Sequence, residues 1–203
     1  MNYLAIDTSG GYLTVIACKN GVRKTIFESD GALQHSVRLM DAADEALRAV
    51  SLTPAECDFF CAVTGPGSFT GIRIGISAVK GFCEGTGKPA LGRTSFQVLA
   101  YNAEGKALAA VPAGRGNYYV CGFEKDKSVC FPPSYVDEAR LSELAKEYPV
   151  YAYEPLPVPY IKAYPAAGLA SAAENAKEEE FGEIGAFYLK KSQAEEERLA
   201  KKG

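Results

Sequence analysis

Residues 65–73 read GPGSFTGIR, a glycine-rich segment that follows the apolar run 58–64 and leads into an amphipathic stretch at 70–84. This order predicts a short buried strand, a tight loop and a helix. The helix carries two interior glycines, Gly71 and Gly75, and each costs about 1 kcal/mol relative to alanine. Two such glycines indicate that another backbone packs close to this helix.

A glycine-rich turn at a helix N-terminus can also bind a phosphate through its backbone amides. The segment matches neither GxxxxGK[ST], because no lysine follows Gly71, nor GxGxxG. Asp7, which ends the first apolar run, could orient a metal-bound phosphate or cap its own turn. The spacing favours close packing, and a vestigial phosphate loop remains the alternative. The residues of that candidate loop are Asp7, Thr8, Ser9, Gly65, Gly67 and Ser68.

The pattern around this segment is that of an α/β protein. Runs 3–7, 12–18 and 22–29 predict a three-stranded meander, and Asn20-Gly21 is a strong hairpin signal. Residues 35–50 place apolar side chains every three or four positions, which predicts an amphipathic helix. Further on, the pattern predicts strands at 107–111, 118–123 and 149–153, and helices at 95–101, 136–147, 165–180 and 194–202.

Composition places the chain among ordinary globular proteins. It has 203 residues, of which 47% are hydrophobic and 23% charged. Binding to nucleic acid is driven by basic side chains that displace counterions from phosphates, and a chain with a net charge of −3 would displace few. Its apolar runs are far shorter than the roughly 20 residues of a membrane span. We expect a reducing, cytoplasmic setting, because no signal-peptide pattern leads the sequence and the six cysteines form no CxxC pair.

Histidine content excludes several kinds of site. His35 is the sole histidine of the sequence. A zinc site of ordinary type needs three or four ligands, and the sequence has neither CxxC nor HExxH. A Ser-His-Asp triad would have to recruit His35, yet no GxSxG elbow is present. His35, at a predicted helix start, could still act as an acid or base or simply be a surface residue.

Three segments together resemble the TsaB (YeaZ) family, the non-catalytic partner in bacterial tRNA threonylcarbamoyladenosine synthesis. They are Ala5-Ile6-Asp7-Thr8-Ser9, His35-Ser36 at the start of the first helix, and above all GPGSFTGIR at 65–73. The resemblance covers residues 3–100 well and the rest loosely. Two further segments depart from the family pattern: Pro112 stands where relatives usually have aspartate, and Tyr188-Leu189-Lys190 resembles a Tyr-Leu-Arg sequence.

The resemblance implies an ASKHA (actin/Hsp70/ribonuclease H-like) fold with two related α/β lobes, the second reduced. We place the lobes at residues 1–104 and 105–203, with a helical tail in the second. The catalytic paralogue TsaD carries a metal-binding HxxxH motif after Val-Asn. Thr94-Ser95 stands here where that motif has Asn-His, and Leu99 stands at its second histidine, so both imidazoles are absent. The resemblance therefore implies an ASKHA protein without a catalytic metal site and without an obligatory cofactor, with weak nucleotide binding left open.

For function, the resemblance implies a subunit that binds and activates TsaD, which modifies adenine 37 of ANN-decoding tRNAs. The ATPase TsaE would join the complex, tRNA would be bound only through the complex, and the chain alone would form a homodimer. Pairing would use the two helices of the first lobe. The residues expected at the partner interface are Met40, Ala43, Leu47, Gly71, Ile72, Gly75, Ile76 and Ala78. Two alternatives remain: an ASKHA-type enzyme that binds a nucleotide and transfers a phosphoryl or acyl group, and a metallopeptidase-like protein.

Overall fold

The structure, a computed structural model, describes residues 1–29 and 35–189. It contains two β-sheets, each covered by helices. The helix expected at 194–202 lies outside the described residues, as does Lys190 of the Tyr-Leu-Lys segment.

The first sheet begins with the expected antiparallel meander of β1 (Asn2–Asp7), β2 (Leu13–Lys19) and β3 (Val22–Glu28). The hairpin between β2 and β3 turns at Asn20 and Gly21, whose φ angles of 51° and 83° are positive, as a tight two-residue turn requires. β1 and β2 are almost completely buried because both of their faces are covered.

Two parallel strands continue the first sheet beyond β1. β4 (Phe59–Gly65) pairs with β1, and β5 (Ala90–Thr94) pairs with β4. α1 (His35–Ala49) connects β3 to β4, and α2 (Phe69–Thr86) connects β4 to β5. Both helices pack on the same face of the sheet, where their apolar stripes bury the first core.

The second sheet repeats this order with different residues. β6 (Ala107–Gly114), β7 (Asn117–Phe123) and β8 (Val129–Asp137) form an antiparallel meander. β9 (Val150–Ala152) then pairs parallel with β6, and β10 (Ile161–Lys162) pairs parallel with β9. The strand orders β3-β2-β1-β4-β5 and β8-β7-β6-β9-β10 are therefore the same. The molecule has the two related α/β lobes of an ASKHA fold.

The second lobe is reduced at one place. α4 (Glu138–Glu147) follows its meander as α1 follows the first. The connection between β9 and β10, residues 153–160, contains no helix, whereas the matching connection in the first lobe holds α2. The second sheet is thus covered on that face by α4 and the loop alone.

The lobes meet through α3 (Ser95–Ala100) and α5 (Pro165–Glu174). α3 lies against the second sheet, and α5 covers the face of the first sheet opposite α1 and α2. The chain then returns to the first lobe, where β11 (Phe181–Gly182) pairs antiparallel with β5. The helix expected to run to residue 180 ends at Glu174, because a short 3-10 turn precedes β11.

Four strands were not expected from the sequence: β5, β8, β10 and β11. β8 contains Pro132 and Pro133, which suggested a break, but β8 is an edge strand and tolerates proline on its unpaired side. α4 begins two residues later than expected, because Asp137 is its N-cap and accepts a hydrogen bond from Arg140 N–H at 2.8 Å.

Candidate functional site

The carboxylate of Asp7 lies at the carboxyl end of β1 and is buried. Its Oδ1 accepts hydrogen bonds from Ser9 N–H at 2.8 Å and from Ser9 Oγ at 2.6 Å. Tyr12 Oη donates to Oδ2 at 3.1 Å. The carboxylate therefore closes its own turn between β1 and β2, which is one of the two roles that the sequence left open.

The glycine-rich loop between β4 and α2 packs directly on that turn. A methyl group on Gly67 would overlap the carbonyl oxygen of Ser9, and one on Gly71 would overlap that of Thr8. Thr8 Oγ1 donates to Gly71 O at 2.6 Å, and Ser68 N–H donates to Ser9 O at 2.7 Å. The glycines thus allow two backbones to touch, as the close-packing interpretation predicts.

The backbone around the start of α2 also serves the fold itself. Ser68 is the N-cap of α2, and its Oγ accepts from Gly71 N–H at 3.2 Å. Gly65 has a φ of 109°, and a methyl group there would lie 2.8 Å from Phe187 O. The six candidate phosphate-loop residues lie together, in a junction whose polar groups bond to one another. They are Asp7, Thr8, Ser9, Gly65, Gly67 and Ser68.

The cleft between the lobes is filled beside this junction by two tyrosines. The rings of Tyr12 and Tyr153 meet edge to face, with their centroids 5.5 Å apart. Burial and the nearby charge of Asp7 raise the pKa of both phenols well above the ordinary value, so both stay protonated at neutral pH. The cavity on the side of Ser9 and Ser95 measures about 40 Å³, whereas sites for nucleotide-sized ligands measure several hundred Å³. A second, open pocket of about 350 Å³ lies against the same two tyrosines, between Phe27 and Tyr164, and its lining includes no residue of the glycine-rich loop.

The positions that the resemblance aligns with the Asn-His pair and the second histidine of the paralogue have structural roles here. Thr94 caps α3, and its side chain accepts from Gln97 N–H at 3.1 Å. Ser95 Oγ lies 3.3 Å from Ser9 Oγ, and Leu99 is completely buried. Within residues 1–29 and 35–189, no three His, Cys, Asp or Glu side chains cluster as metal ligands would.

His35 opens α1, as the sequence pattern indicated. Its side chain is not among those that the structure describes, so its proposed acid or base role remains a prediction.

Six of the eight residues expected at a partner interface lie instead inside the first lobe. Their apolar spacing marks the face that packs on the first sheet, and this explains the difference. These residues are Ala43, Leu47, Gly71, Ile72, Gly75 and Ile76. Gly75 in particular faces Thr8, because a methyl group there would lie 2.6 Å from Thr8 Oγ1. Met40 and Ala78 are the two that reach the surface, and Met40 is 52% exposed.

Met40 and Ala78 lie in an open groove between the N-terminal halves of α1 and α2. The groove has a volume of about 460 Å³. Its walls are Ser36, Leu39 and Met40 of α1, with Thr70, Arg73, Ile74, Ser77 and Ala78 of α2. Val37, one residue from the groove wall, is 78% exposed. An exposed apolar face of this kind is typical of a protein-binding surface.

Two glycines that sequence analysis passed over extend this surface along α2. Gly81 and Gly85 are exposed, and a methyl group on either would meet no atom of the described residues within 4 Å. Because α-helical residues four apart lie on one side, Ser77, Gly81 and Gly85 form a single row. Small residues at every fourth position on the exposed side of the helix are the sequence signal that could have indicated this row. Apolar spacing does not select this row, because serine and glycine carry no apolar side chain.

Residues 183–189, here called the C-terminal strap, run from β11 across the glycine-rich loop. Ile184 packs in the first core, and Phe187 and Leu189 pack in the core between α3 and the second sheet. Phe187 N–H donates to Thr64 O at 2.8 Å. Between these anchors, Tyr188 stacks on Phe69 at the start of α2 with 4.2 Å between ring centroids.

The described helices include none that is both long enough and apolar enough to cross a bilayer.

The chain resembles known proteins in sequence over part of their length. It is 28% identical over 133 residues to the tRNA threonylcarbamoyladenosine biosynthesis protein TsaB of Escherichia coli K12, over 63% of this chain and 57% of that protein. It is 30% identical over 122 residues to the TsaB of Bacillus subtilis 168, over 59% of this chain and 53% of that protein. The chain thus spans about half the length of the curated relatives it matches.

Solved structures share the fold over most of both chains. A Pseudomonas aeruginosa protein described as similar to peptidase YeaZ superposes with a TM-score of 0.76 at 21% identity, covering 93% of this chain and 99% of that one. YeaZ from Pseudomonas aeruginosa gives a TM-score of 0.73 at 22% identity, over 85% and 90% of the two chains. A family model described as TsaD, tRNA N6-adenosine threonylcarbamoyltransferase, matches residues 27–200. The chain belongs to this TsaD family, and within it resembles the TsaB proteins of tRNA threonylcarbamoyladenosine biosynthesis.

Proposed function

We propose that this chain is a non-catalytic subunit that binds and activates a TsaD paralogue through the groove between α1 and α2. The paralogue would carry out N6-threonylcarbamoylation of adenine 37 in ANN-decoding tRNAs. The observation that carries the proposal is the groove itself, an open apolar surface continued by Gly81 and Gly85. The role belongs to tRNA modification, as the names of the relatives indicate, and would be performed in the cytoplasm.

The two exposed glycines support helix-on-helix docking. Each lowers the stability of an isolated helix by about 1 kcal/mol relative to alanine, and in the described part of the chain no atom lies within 4 Å of the position where a side chain would begin. A partner helix could approach the backbone of α2 closely along the row from Ser77 to Gly85. Met40, Ile74 and Ala78 would then supply apolar area beside that contact.

The filled cleft supports an accessory role over an enzymatic one. Tyr12 and Tyr153 leave a cavity of only about 40 Å³ beside Ser9 and Ser95, and Asp7 is bonded within its own turn. The proposal therefore includes no cofactor and no metal of the chain's own. With a net charge of −3, the chain would meet tRNA only within the assembled complex, which TsaE would join.

A leucine at Gly81 tests the groove. The space there is open, so Gly81→Leu keeps the fold, while its side chain would hold a partner helix away from α2. We expect at least about tenfold weaker binding to the purified TsaD paralogue of the same organism, measured by titration calorimetry, since overpacking costs about 1–3 kcal/mol. The thermal midpoint of the variant alone should not fall.

Lys80→Leu is the matched control, because Lys80 is exposed on the same helix and rotated by about 100° from Gly81. It should change the affinity less than twofold. Unchanged binding by Gly81→Leu would contradict the groove assignment. In the same preparations the chain alone should transfer no threonylcarbamoyl group, and the paralogue should gain activity when the chain is added.

The same groove could also mediate self-association of the chain. An exposed apolar face seldom stays uncovered, so the chain alone should form a homodimer through α1 and α2. Gly81→Leu should shift the species seen in size-exclusion chromatography toward the monomer. A variant that stays dimeric would place the homodimer contact on another surface.

A further inference from the structure

Arg73 is held in an unusual setting at the edge of the groove. Its guanidinium carbon lies 4.2 Å from the ring centroid of Phe69. Its Nε donates a hydrogen bond to Tyr188 Oη at 3.2 Å. The side chain is nevertheless exposed and forms part of the groove wall. A stack on one side and a hydrogen bond at Nε restrict the rotation of an otherwise flexible chain.

The group that restrains Arg73 comes from a distant part of the sequence. Tyr188 lies in the C-terminal strap, and its neighbours Phe187 and Leu189 are anchored in the core of the interlobe region. The ring of Phe187 meets that of Phe96 at 6.5 Å between centroids. The strap therefore places one tyrosine against the start of α2, 115 residues away along the chain from Arg73.

Within residues 1–29 and 35–189, the two Nη groups of Arg73 form no hydrogen bond or ion pair. A planar guanidinium with both Nη groups open matches a carboxylate in a two-point hydrogen-bonded pair. Since stacking and the Tyr188 bond already restrict its conformation, little conformational entropy would be lost on binding.

We propose that Arg73, held by Phe69 and Tyr188, binds a carboxylate on the helix of the TsaD paralogue that occupies the groove. This inference rests on the proposed function, because it assigns one anchor within the same docking surface. Tyr188 acts as a positioning residue, since it orients Arg73. An arginine in this setting is the type of residue that commonly dominates the affinity of an interface.

The surroundings favour a protein carboxylate over an RNA phosphate. Arg73 opens onto the apolar side chains of Met40, Ile74 and Ala78, which suit a helix face. A nucleic-acid backbone carries a phosphate at every nucleotide and is usually met by several cations, whereas Arg73 is the one charged residue among those that line the described groove. One cation beside an apolar groove complements an amphipathic helix with a single acidic residue at its end.

The experiment measures the affinity of the chain for the purified TsaD paralogue at low and at moderate salt. Arg73→Gln should weaken binding at least about tenfold at low salt, and its affinity should depend less on salt than that of the wild type. Arg73→Lys keeps the charge but loses the paired geometry, so it should recover only part of the affinity. Tyr188→Phe keeps the stack and removes the Nε acceptor, and it should weaken binding about threefold. Lys80→Gln, which removes a cation elsewhere on α2, should have little effect.

The outcomes separate this inference from the proposed function. If Arg73→Gln binds as the wild type while Gly81→Leu binds weakly, the groove is the interface and the Arg73 anchor is overturned. If neither variant weakens binding, both the groove assignment and the proposed role of Arg73 are wrong. If Arg73→Gln binds the paralogue normally but lowers the affinity of the assembled complex for tRNA, Arg73 meets a phosphate and the inference is overturned. Thermal midpoints of all variants should lie close to that of the wild type.

Discussion

Two glycines of α2 should respond in opposite directions to the same substitution. Gly71 and Gly81 lie ten residues apart in one helix, and both become better helix formers as alanine, by about 1 kcal/mol. Gly81→Ala adds its methyl group in open space, so this gain should appear in full. Gly71→Ala adds its methyl group against a backbone carbonyl, so a much larger opposing cost is expected.

The cost at Gly71 follows from its neighbours. The new methyl carbon would overlap Thr8 O and lie 3.2 Å from Ser68 Oγ, and real Cβ atoms essentially never approach another atom within 3.0 Å. Because Thr8 O belongs to the main chain, the end of β1 or the start of α2 has to move. Overpacking costs about 1–3 kcal/mol. Losing the buried hydrogen bond from Thr8 Oγ1 to Gly71 O costs about 1–3 kcal/mol more.

After the helix gain is subtracted, Gly71→Ala should destabilise the fold by about 3 kcal/mol. For a chain of this size, 1 kcal/mol shifts the melting temperature by about 2–4 °C. Gly81→Ala should therefore melt about 2–4 °C above the wild type and Gly71→Ala about 6–12 °C below it. Urea denaturation followed by circular dichroism, repeated at several protein concentrations, removes the contribution of self-association. Melting shifts of the same sign for both variants would refute the packing argument.

Further predictions concern the buried ion pair, the thiols and the cleft. Arg93 is almost fully buried and donates hydrogen bonds to both carboxylate oxygens of Glu180. Breaking a buried ion pair costs about 3–5 kcal/mol, and because Glu180 is partly exposed we expect Glu180→Gln to cost less, about 2–3 kcal/mol in urea denaturation. The same change should cost almost nothing in an Arg93→Met background. Hydrogen bonds from Arg93 lower the pKa of Glu180 from its ordinary 4.5. The stabilisation from this ion pair is therefore present above about pH 4.5 and is lost as the pH falls through the lowered pKa. In acid titrations the free energies of unfolding of the wild type and Glu180→Gln should converge. Cys61 is buried, and burial raises the pKa of its thiol to about 12, whereas Cys130 is exposed. Iodoacetamide at pH 8 should therefore label Cys130 and leave Cys61 unmodified until the protein unfolds, which mass spectrometry would show. Calorimetry with ATP and magnesium should give no micromolar binding to the chain alone, whereas binding abolished by Asp7→Ala would revive the nucleotide alternative.

Local patterns predicted the elements whose burial is one-sided or whose turns are chemically distinctive. The meander of β1 to β3 followed from the Asn20-Gly21 turn, and α1 and α2 followed from their apolar stripes. β5 was missed because Gly92 and Arg93 interrupt its apolar run. A buried arginine is tolerated there because Glu180, 87 residues further on, neutralises it, and no local pattern contains that partner.

The interface residues expected from the sequence and the residues of the proposed groove lie on the same two helices but mostly on different faces. Periodicity identified α1 and α2 correctly, but apolar spacing marks the face of a helix that its own sheet buries. Ile72 and Ile76 therefore belong to the core, and the groove is lined by residues that carry no distinctive sequence pattern, such as Thr70 and Ser77. An exposed glycine can be told from a packed one only when its spatial neighbours are known.

The reduced second lobe has a use in this arrangement even though its cleft is filled. Its sheet and α3 form the core that receives Phe187 and Leu189, and these two side chains fix the strap on either side of Tyr188. Tyr188 in turn restrains Arg73 at the edge of the groove. A first lobe alone would keep Ile184 and the hydrogen bond to Thr64 but would lose the packing of Phe187 and Leu189 against the second sheet, so the proposed docking through Arg73 would depend on both lobes. This dependence gives a physical reason for retaining a second lobe that has lost the helix between β9 and β10.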